Sequence, residues 1–226
     1  MSALCEVRPE VVIHQLTSLS NRDFAGTSRV RVEGTRNLVD ASLAVGVKRM
    51  IAQSISWAYQ PGEAPATEDV PLDIHSEMPR RRMVEAISVL ESTVAQIPQH
   101  VILRYGSLYG PGTFYDNNGF VAQEVRSKNV QATDSVTSFL HVEDAAHVAC
   151  LALNWASGPV NIVDDEPARG TEWIPIYAEA LGAPNPEVHQ ESDGWERGAS
   201  NAKARNDFKW KSLYPTWRTG LPKSLE

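Results

Sequence analysis

Cysteine is scarce: Cys5 and Cys150 are the only two in 226 residues. Neither belongs to a pair at metal-ligand spacing. The sequence therefore indicates neither a disulfide framework nor a metal site, and a reducing cytoplasm is the natural compartment. Positive charge is also short. There are 21 Lys and Arg against 28 Asp and Glu, a formal net charge of −7. A nucleic-acid surface requires a net basic face, so that class of partner is excluded, whereas a small anion needs only a few local donors. Long apolar runs are missing, and nothing approaches the ~20 apolar residues that span a bilayer. The opening Met1-Ser2-Ala3-Leu4-Cys5-Glu6 brings an acid early, and no signal peptide is expected. No repeat, low-complexity tract, Walker loop, Gly-x-Ser-x-Gly or H-x-x-x-H pattern occurs.

What is present is an ordinary globular composition, 42% apolar and 22% charged, with a regular alternation of elements. Val11-Val12-Ile13 is a short β-branched run that reads as a buried parallel strand. A polar loop over 18–28 precedes a helix over 30–45, with Gly46 as its stop and Lys48-Arg49 at its exit. Met50-Ile51-Ala52-Gln53 is the next strand, and Tyr59 to Pro71 reads as a surface loop. Pro79 opens a helix to Ile97 with Met83, Ile87, Leu90 and Val94 on one face. Val101-Ile102-Leu103 is a third strand. This β-α-β-α-β order predicts a parallel sheet with helical crossovers. The strands ending near 13, 53 and 103 should lie side by side, pointing the same way, with their tips around one crevice. After Arg104, Gly106, Gly110, Pro111 and Gly112 build a tight loop. Helices are predicted over 119–126, 142–154 and 171–181, and strands over 137–140 and 160–163. The polar tail, 185–226, reads as an irregular lobe with one or two short helices.

Several of these segments, in order, resemble the NAD-dependent epimerase/dehydratase family of extended short-chain dehydrogenases. Val11-Val12-Ile13-His14 is similar to the family's fourth strand. Gly34-Thr35-Arg36-Asn37-Leu38 resembles its "GT-x-N-L" helix, and Gly46-Val47-Lys48-Arg49-Met50-Ile51 the exit into the fifth strand. Leu103-Arg104 through Tyr109-Gly110-Pro111-Gly112 resembles the "LR-x-x-x-x-YGPG" loop. Phe139-Leu140-His141-Val142-Glu143-Asp144 resembles "F-x-H-V-x-D", and Gly158-Pro159-Val160-Asn161-Ile162 the "G-x-x-N-I/V" strand. The resemblance covers roughly residues 10 to 182. It implies an α/β, Rossmann-like parallel sheet with helices on both faces and a small C-terminal substrate lobe. Residues 1–105 would form a partial dinucleotide-binding region, and 106–226 a mixed region with the last Rossmann elements and the lobe.

The family begins with a strand and a "G-x-x-G-x-x-G" turn that seats the cofactor pyrophosphate. That pattern does not occur here, so the sheet is expected to lack its first three strands, as in a chain truncated at its N-terminus. Tight binding of NAD or NADP by this chain alone is then expected to be lost. The uncovered strand edge would favour a homo-oligomer. In open α/β sheets ligands gather at the carboxyl ends of strands. By the resemblance, His14, Gln15, Leu16 and Thr17, then Ser54, Ile55 and Ser56, then Tyr105, Gly106 and Ser107 would surround the nicotinamide and a small-molecule substrate.

The family's acid/base pair is Tyr-x-x-x-Lys, and no such pair lies between Tyr59 and Ile97. Aligning the helix on Glu85 puts Glu77 and Arg81 at those positions, whereas aligning it on Glu91 puts Met83 and Ile87 there. The usual Asn before the Gly-Thr pair is Arg31. Ser54 is the candidate to orient a substrate carbonyl, or else it caps the turn after its strand. Tyr59 is the candidate replacement acid/base, or else a loop tyrosine with a wet hydroxyl. Arg80-Arg81-Arg82 reads as a solvated helix face, Asp164-Asp165-Glu166 as a solvated turn, and His141 as a pin for the helix that starts at Val142. The resemblance implies an NAD(P)-dependent oxidoreductase or epimerase/dehydratase acting on a small, sugar-like substrate. The alternatives are a non-catalytic dinucleotide-sensing or interaction protein and an inactive truncated remnant.

Overall fold

The structure, a computed structural model, describes residues 2–19 and 22–226. In chain order the elements are α1 (Ser2–Val7), β1 (Val11–His14), α2 (Phe24–Arg29), α3 (Thr35–Ala44), β2 (Arg49–Ile55), α4 (Arg80–Val94) and β3 (Gln99–Tyr105). Then come β4 (Ser107–Tyr109), α5 (Phe120–Arg126), β5 (Ala132–Thr133), β6 (Val136–Thr137), β7 (Phe139–His141), α6 (Val142–Leu151) and β8 (Gly158–Ile162). The remainder is β9 (Ala168–Arg169), α7 (Gly170–Ala180), β10 (Val188–His189), α8 (Ala202–Asp207) and α9 (Trp217–Lys223).

The predicted alignment of the three early strands holds. The central sheet runs β1-β2-β3-β8, with every neighbouring pair parallel. Alternate side chains of its strands leave on opposite faces, and each face has its own core. On one side Met50, Ala52 and Ile102 pack with Val39 of α3 and with Leu90 and Val94 of α4. On the other, Ile51, Val101, Leu103 and Val160 pack with Val148 and Ala149 of α6 and with Trp155 and Trp210. Removing that much apolar surface from water, about 1.5–3 kcal/mol for each large aliphatic side chain, is the main force holding the layers together. A third cluster under the later elements gathers Phe139, Trp173, Tyr177, Trp217 and Leu221. The tail's two short helices, α8 and α9, dock on these cores through Ala204 and through Trp217 and Leu221.

The structure corrects four readings. The segment over 18–28 is not all loop: Asp23 caps α2 by accepting from Gly26 N at 2.7 Å, although Ser20 and Asn21 lie outside the described residues. The helix expected from Val30 begins with a π turn, Val30–Gly34, which joins α2 to α3. β1 is not the buried strand that its apolar run suggests but the uncovered edge expected from the missing first strands: among the described residues it pairs only with β2, and Ile13 is 44% exposed. Asp164 is buried, not solvated. It accepts from Trp217 N at 2.8 Å, anchoring α9, and burial, ahead of the nearby Glu166 and Asp165, pushes its carboxyl up to about 8. His141 behaves as predicted: its Nδ1 accepts from Glu143 N and caps α6.

Candidate functional site

Two cavities open beyond the carboxyl ends of β2 and β3. The larger, about 540 Å³, is walled by the strand tips Gln53–Ile55 and Tyr105–Leu108, by α2 and the π turn, and by the loop 111–115. The smaller, about 280 Å³, lies between Ser56–Tyr59 and the segments 136–138 and 195–198. Trp57, Met83 and Ser107 line both, so the two spaces adjoin. Gly106 lets the tip of β3 pass close to the segment 136–138, because a Cβ there would sit 2.5 Å from the carbonyl oxygen of Ser138. Gly110 and Gly112, at φ 111° and 74°, provide the left-handed backbone that the tight loop needs.

The structure thus brings Ser54, Ile55, Tyr105, Gly106 and Ser107 together on the larger cavity, and Ser56, Tyr59 and Ser107 on the smaller. His14, Gln15, Leu16 and Thr17 line neither. His14 is buried, with its Nε2 2.9 Å from Thr35 Oγ1 and its Nδ1 accepting from Leu16 N at 3.4 Å. Burial lowers its pKa. The neutral ring therefore ties β1 to the first turn of α3. Gln15, Leu16 and Thr17 are exposed at the tip of the edge strand.

Both candidate catalytic hydroxyls are held in one buried network. Ser54 Oγ donates to Glu91 Oε1 at 2.6 Å. Arg104 donates to both oxygens of the same carboxylate, at 2.9 and 2.6 Å. It also donates to the Tyr59 hydroxyl at 2.8 Å. Tyr59 in turn donates to Asn161 Oδ1 at 2.5 Å. Tyr59 is 1% exposed, not a wet loop residue, and burial pushes its hydroxyl up to about 12 despite the neighbouring guanidinium. Asn161 closes the network by donating to the carbonyls of Ala66 and Ser200. Every polar group here has its partner, which is what makes a buried charged cluster tolerable.

Four features were misread, left open or unread in the sequence. Arg80 is not on a solvated face. It pairs with Asp73 at 3.2 Å, donates to the carbonyls of Trp57 and Tyr59, and lies 4.1 Å from the Trp195 ring centroid. It thereby stiffens the wall between the cavities. Of the two possible registers for the acid/base helix, the geometry puts Met83 in both cavity walls and Ile87 in the core, while Glu77 is exposed. Aromatic rings dominate the larger cavity through Phe24, Trp57, Tyr105, Phe114 and Tyr115. Finally, Arg31, from the π turn, lines that cavity while only 7% exposed. Its departure from the family's Asn was the one signal in the sequence that pointed to it.

The larger cavity, at the tips of parallel strands, suits the nicotinamide end of a dinucleotide together with the ring of a small hydride acceptor. No G-x-x-G-x-x-G pattern occurs in the sequence to suit the pyrophosphate. Among the described residues no group of three or more His, Cys, Asp or Glu is placed to hold a metal, and no helix is long and apolar enough to cross a membrane.

Comparison with known proteins agrees with this geometry. The NAD dependent epimerase/dehydratase family matches residues 1–163. A 3-diazoavenalumate denitrifying reductase from a Streptomyces species is 41% identical over 247 residues, spanning 98% of this chain and 81% of the relative. The fold is similar to that of the Bordetella bronchiseptica enzyme WbmG, solved in complex with NAD, at a TM-score of 0.78 and 20% identity over 99% of this chain and 73% of that one. It is also similar to the UDP-glucose 4-epimerase of Thermus thermophilus in complex with NAD, at a TM-score of 0.75 and 24% identity over 99% of this chain and 78% of that one. Sequence match, sheet order and strand-tip cavities converge, and the chain belongs to the NAD dependent epimerase/dehydratase family.

Proposed function

We propose that this protein is a nicotinamide-dependent reductase for a small, flat, aromatic substrate whose reduction takes a hydride but no proton from the protein. The observation that carries this is Met83. The family's chemistry places a tyrosine acid/base over the reacting carbon, and here a thioether forms that wall. Four hydroxyls nearby are poor replacements. Ser54 gives its proton to Glu91, Tyr59 gives its own to Asn161, and Tyr105 donates to the carbonyl of Ala145 at 3.1 Å. Tyr115 is pushed up to about 12 by burial.

A bound reduced nicotinamide supplies the hydride. The residues of this chain orient the acceptor, stack on it and exclude water. An aryl diazonium group fits that division of labour, and the name of the Streptomyces relative motivates the choice. One C–H bond forms from the hydride, one C–N bond breaks, and dinitrogen leaves with the bonding pair, so charge balances with no proton transfer. The aromatic walls favour a flat ring, which can lie against them face or edge on. Trp57, Met83 and Ser107, shared by both cavities, would hold acceptor and nicotinamide in contact.

The test uses purified protein, 4-carboxybenzenediazonium and NADH or NADPH deuterated at C4 on either face, at millimolar cofactor. Dinitrogen released in step with cofactor oxidation, and deuterium appearing at the ring carbon from one face only, is the expected outcome. Conversion of UDP-glucose to its 4-epimer, or label transferred equally from both faces, would overturn it. The committed hydroxyls of Ser54 and Tyr59 favour a second reading, a dinucleotide sensor, for which the signature is cofactor binding with no turnover of any acceptor.

A further inference from the structure

We propose that Arg31 is the anion anchor of the larger cavity, and that the ligand it holds is a single carboxylate on a flat, aromatic molecule. The proposal rests on the reductase reading only for naming that molecule as the substrate. Three observations carry it. Arg31 is the one charged residue among those that line the cavity, and no carboxylate faces it. It is 7% exposed, among the described residues no hydrogen bond or ion pair reaches its guanidinium, and burial lowers its pKa. It also projects from a π turn, Val30–Gly34, a local geometry that recurs at functional sites.

A guanidinium keeps its charge in proteins. A buried one without a counter-ion is strongly disfavoured unless something else supplies the anion. Its planar fork matches a carboxylate through two parallel N–H···O bonds. One cation balances one carboxylate, whereas a phosphate dianion would leave a net negative charge among aromatic walls. The aromatic side chains in the rest of the lining, Phe24, Trp57, Tyr105, Phe114 and Tyr115, suit a ring that carries that carboxylate. A site with one fixed charge and flat apolar walls selects an aromatic or conjugated acid over a neutral analogue of the same shape, because the neutral molecule leaves the guanidinium unpaired.

The probes are trans-cinnamate and its neutral isostere cinnamamide. Each is titrated into the full chain without cofactor, following tryptophan fluorescence, with Trp57 in the wall, and calorimetry. Wild-type protein should bind the acid at least tenfold more tightly than the amide. Arg31→Gln should abolish that preference while binding the amide at least as tightly as wild type does, which itself demonstrates an intact cavity. Arg31→Lys should retain part of the preference. A wild-type protein that binds acid and amide equally, or binds neither at millimolar concentration, overturns the proposal, as does an unchanged acid-to-amide ratio in Arg31→Gln. A cofactor phosphate is the competing anion. Arg31→Gln losing tenfold in NADPH affinity with cinnamate binding intact would assign Arg31 to the cofactor and overturn the substrate anchor. Failure of diazonium reduction with the acid preference intact would remove the reductase reading and leave the anchor standing.

Discussion

Two arginines buried to nearly the same extent face opposite situations. Arg104 is 5% exposed and Arg31 is 7% exposed. Arg104 grips both oxygens of Glu91 and the hydroxyl of Tyr59. Burial alone would lower its pKa, but the hydrogen bonds and charge of Glu91 overrule that and raise it. Arg31 has no such partner among the described residues, and burial lowers its pKa. The same side chain is thus a finished structural joint at the tip of β3 and an unfinished one in the π turn beside α3. A charge that the fold completes holds elements together. A charge that the fold buries and leaves unpaired is kept for something that arrives from outside.

The largest effect should come from breaking the finished joint. Glu91→Ala removes the partner of Arg104 and the acceptor of Ser54, leaving a buried guanidinium uncompensated, and should cost about 3–5 kcal/mol. Urea titration of wild type and variant checks this. A loss below ~1 kcal/mol would mean that the network contributes little, and the contrast between the two arginines would dissolve.

Asp164 sharpens the comparison, because a carboxyl has a remedy that a guanidinium lacks. It is 2% exposed, and burial raises its folded pKa from 3.8 to about 8. It therefore holds a proton in the native state where the unfolded chain would release it. The sign follows: this group costs nothing below pH ~3.8, and its penalty on stability grows as pH rises toward 8, then levels off. The slope is at most ~1.4 kcal/mol per pH unit. Asp164→Asn cannot ionise, so its stability relative to wild type should climb between pH 4 and pH 8. Paired melts across that range measure the difference, and a flat one would show Asp164 ionised in the fold.

Tyr59 tests the network from its far end. Tyr59→Phe removes the donor to Asn161 and the acceptor for Arg104, and should cost about 1–3 kcal/mol while leaving any reductase rate within a few-fold of wild type. Equilibrium unfolding and steady-state kinetics on the same variant separate the two. A rate loss of a hundredfold or more without a stability loss would restore Tyr59 as the acid/base.

These contrasts also show how far the sequence could be read. β-branched runs closed by Gly and Pro loops are local signals, and they placed β2, β3 and their crossovers to within a few residues. The motif around Gly106–Gly112 placed the strand-tip loop, because a close backbone approach and positive φ leave glycine little competition. Burial of charge is not local. Arg80, Arg81 and Arg82 look alike in the chain, and only the packing of Trp57, Asp73 and Trp195 separates Arg80 from the other two. Asp164 reads like its acidic neighbours until α9 docks on it. An apolar triplet such as Val11-Val12-Ile13 does not reveal whether its strand has one neighbour or two. α2 was hidden because Gly26 and Thr27 are weak helix formers, and its stability comes from the Asp23 cap and from packing.

The smallest expected stability effect belongs to the unfinished joint, and it decides the comparison. Arg31→Met removes a charge that has no partner in the fold and replaces it with an apolar side chain of similar length. The desolvation cost disappears, no hydrogen bond is lost, and stability should stay within about 1 kcal/mol of wild type or rise. Arg104→Met, by contrast, strands Glu91 and should destabilise by several kcal/mol. Thermal melts of both variants in the same buffer measure the difference directly. With cinnamate present, the order within the Arg31 pair should change: wild type gains stability by mass action as the acid binds, while Arg31→Met gains little. If Arg31→Met instead unfolds as readily as Arg104→Met, then Arg31 is already satisfied within the fold, and the cavity has no charge to offer a ligand.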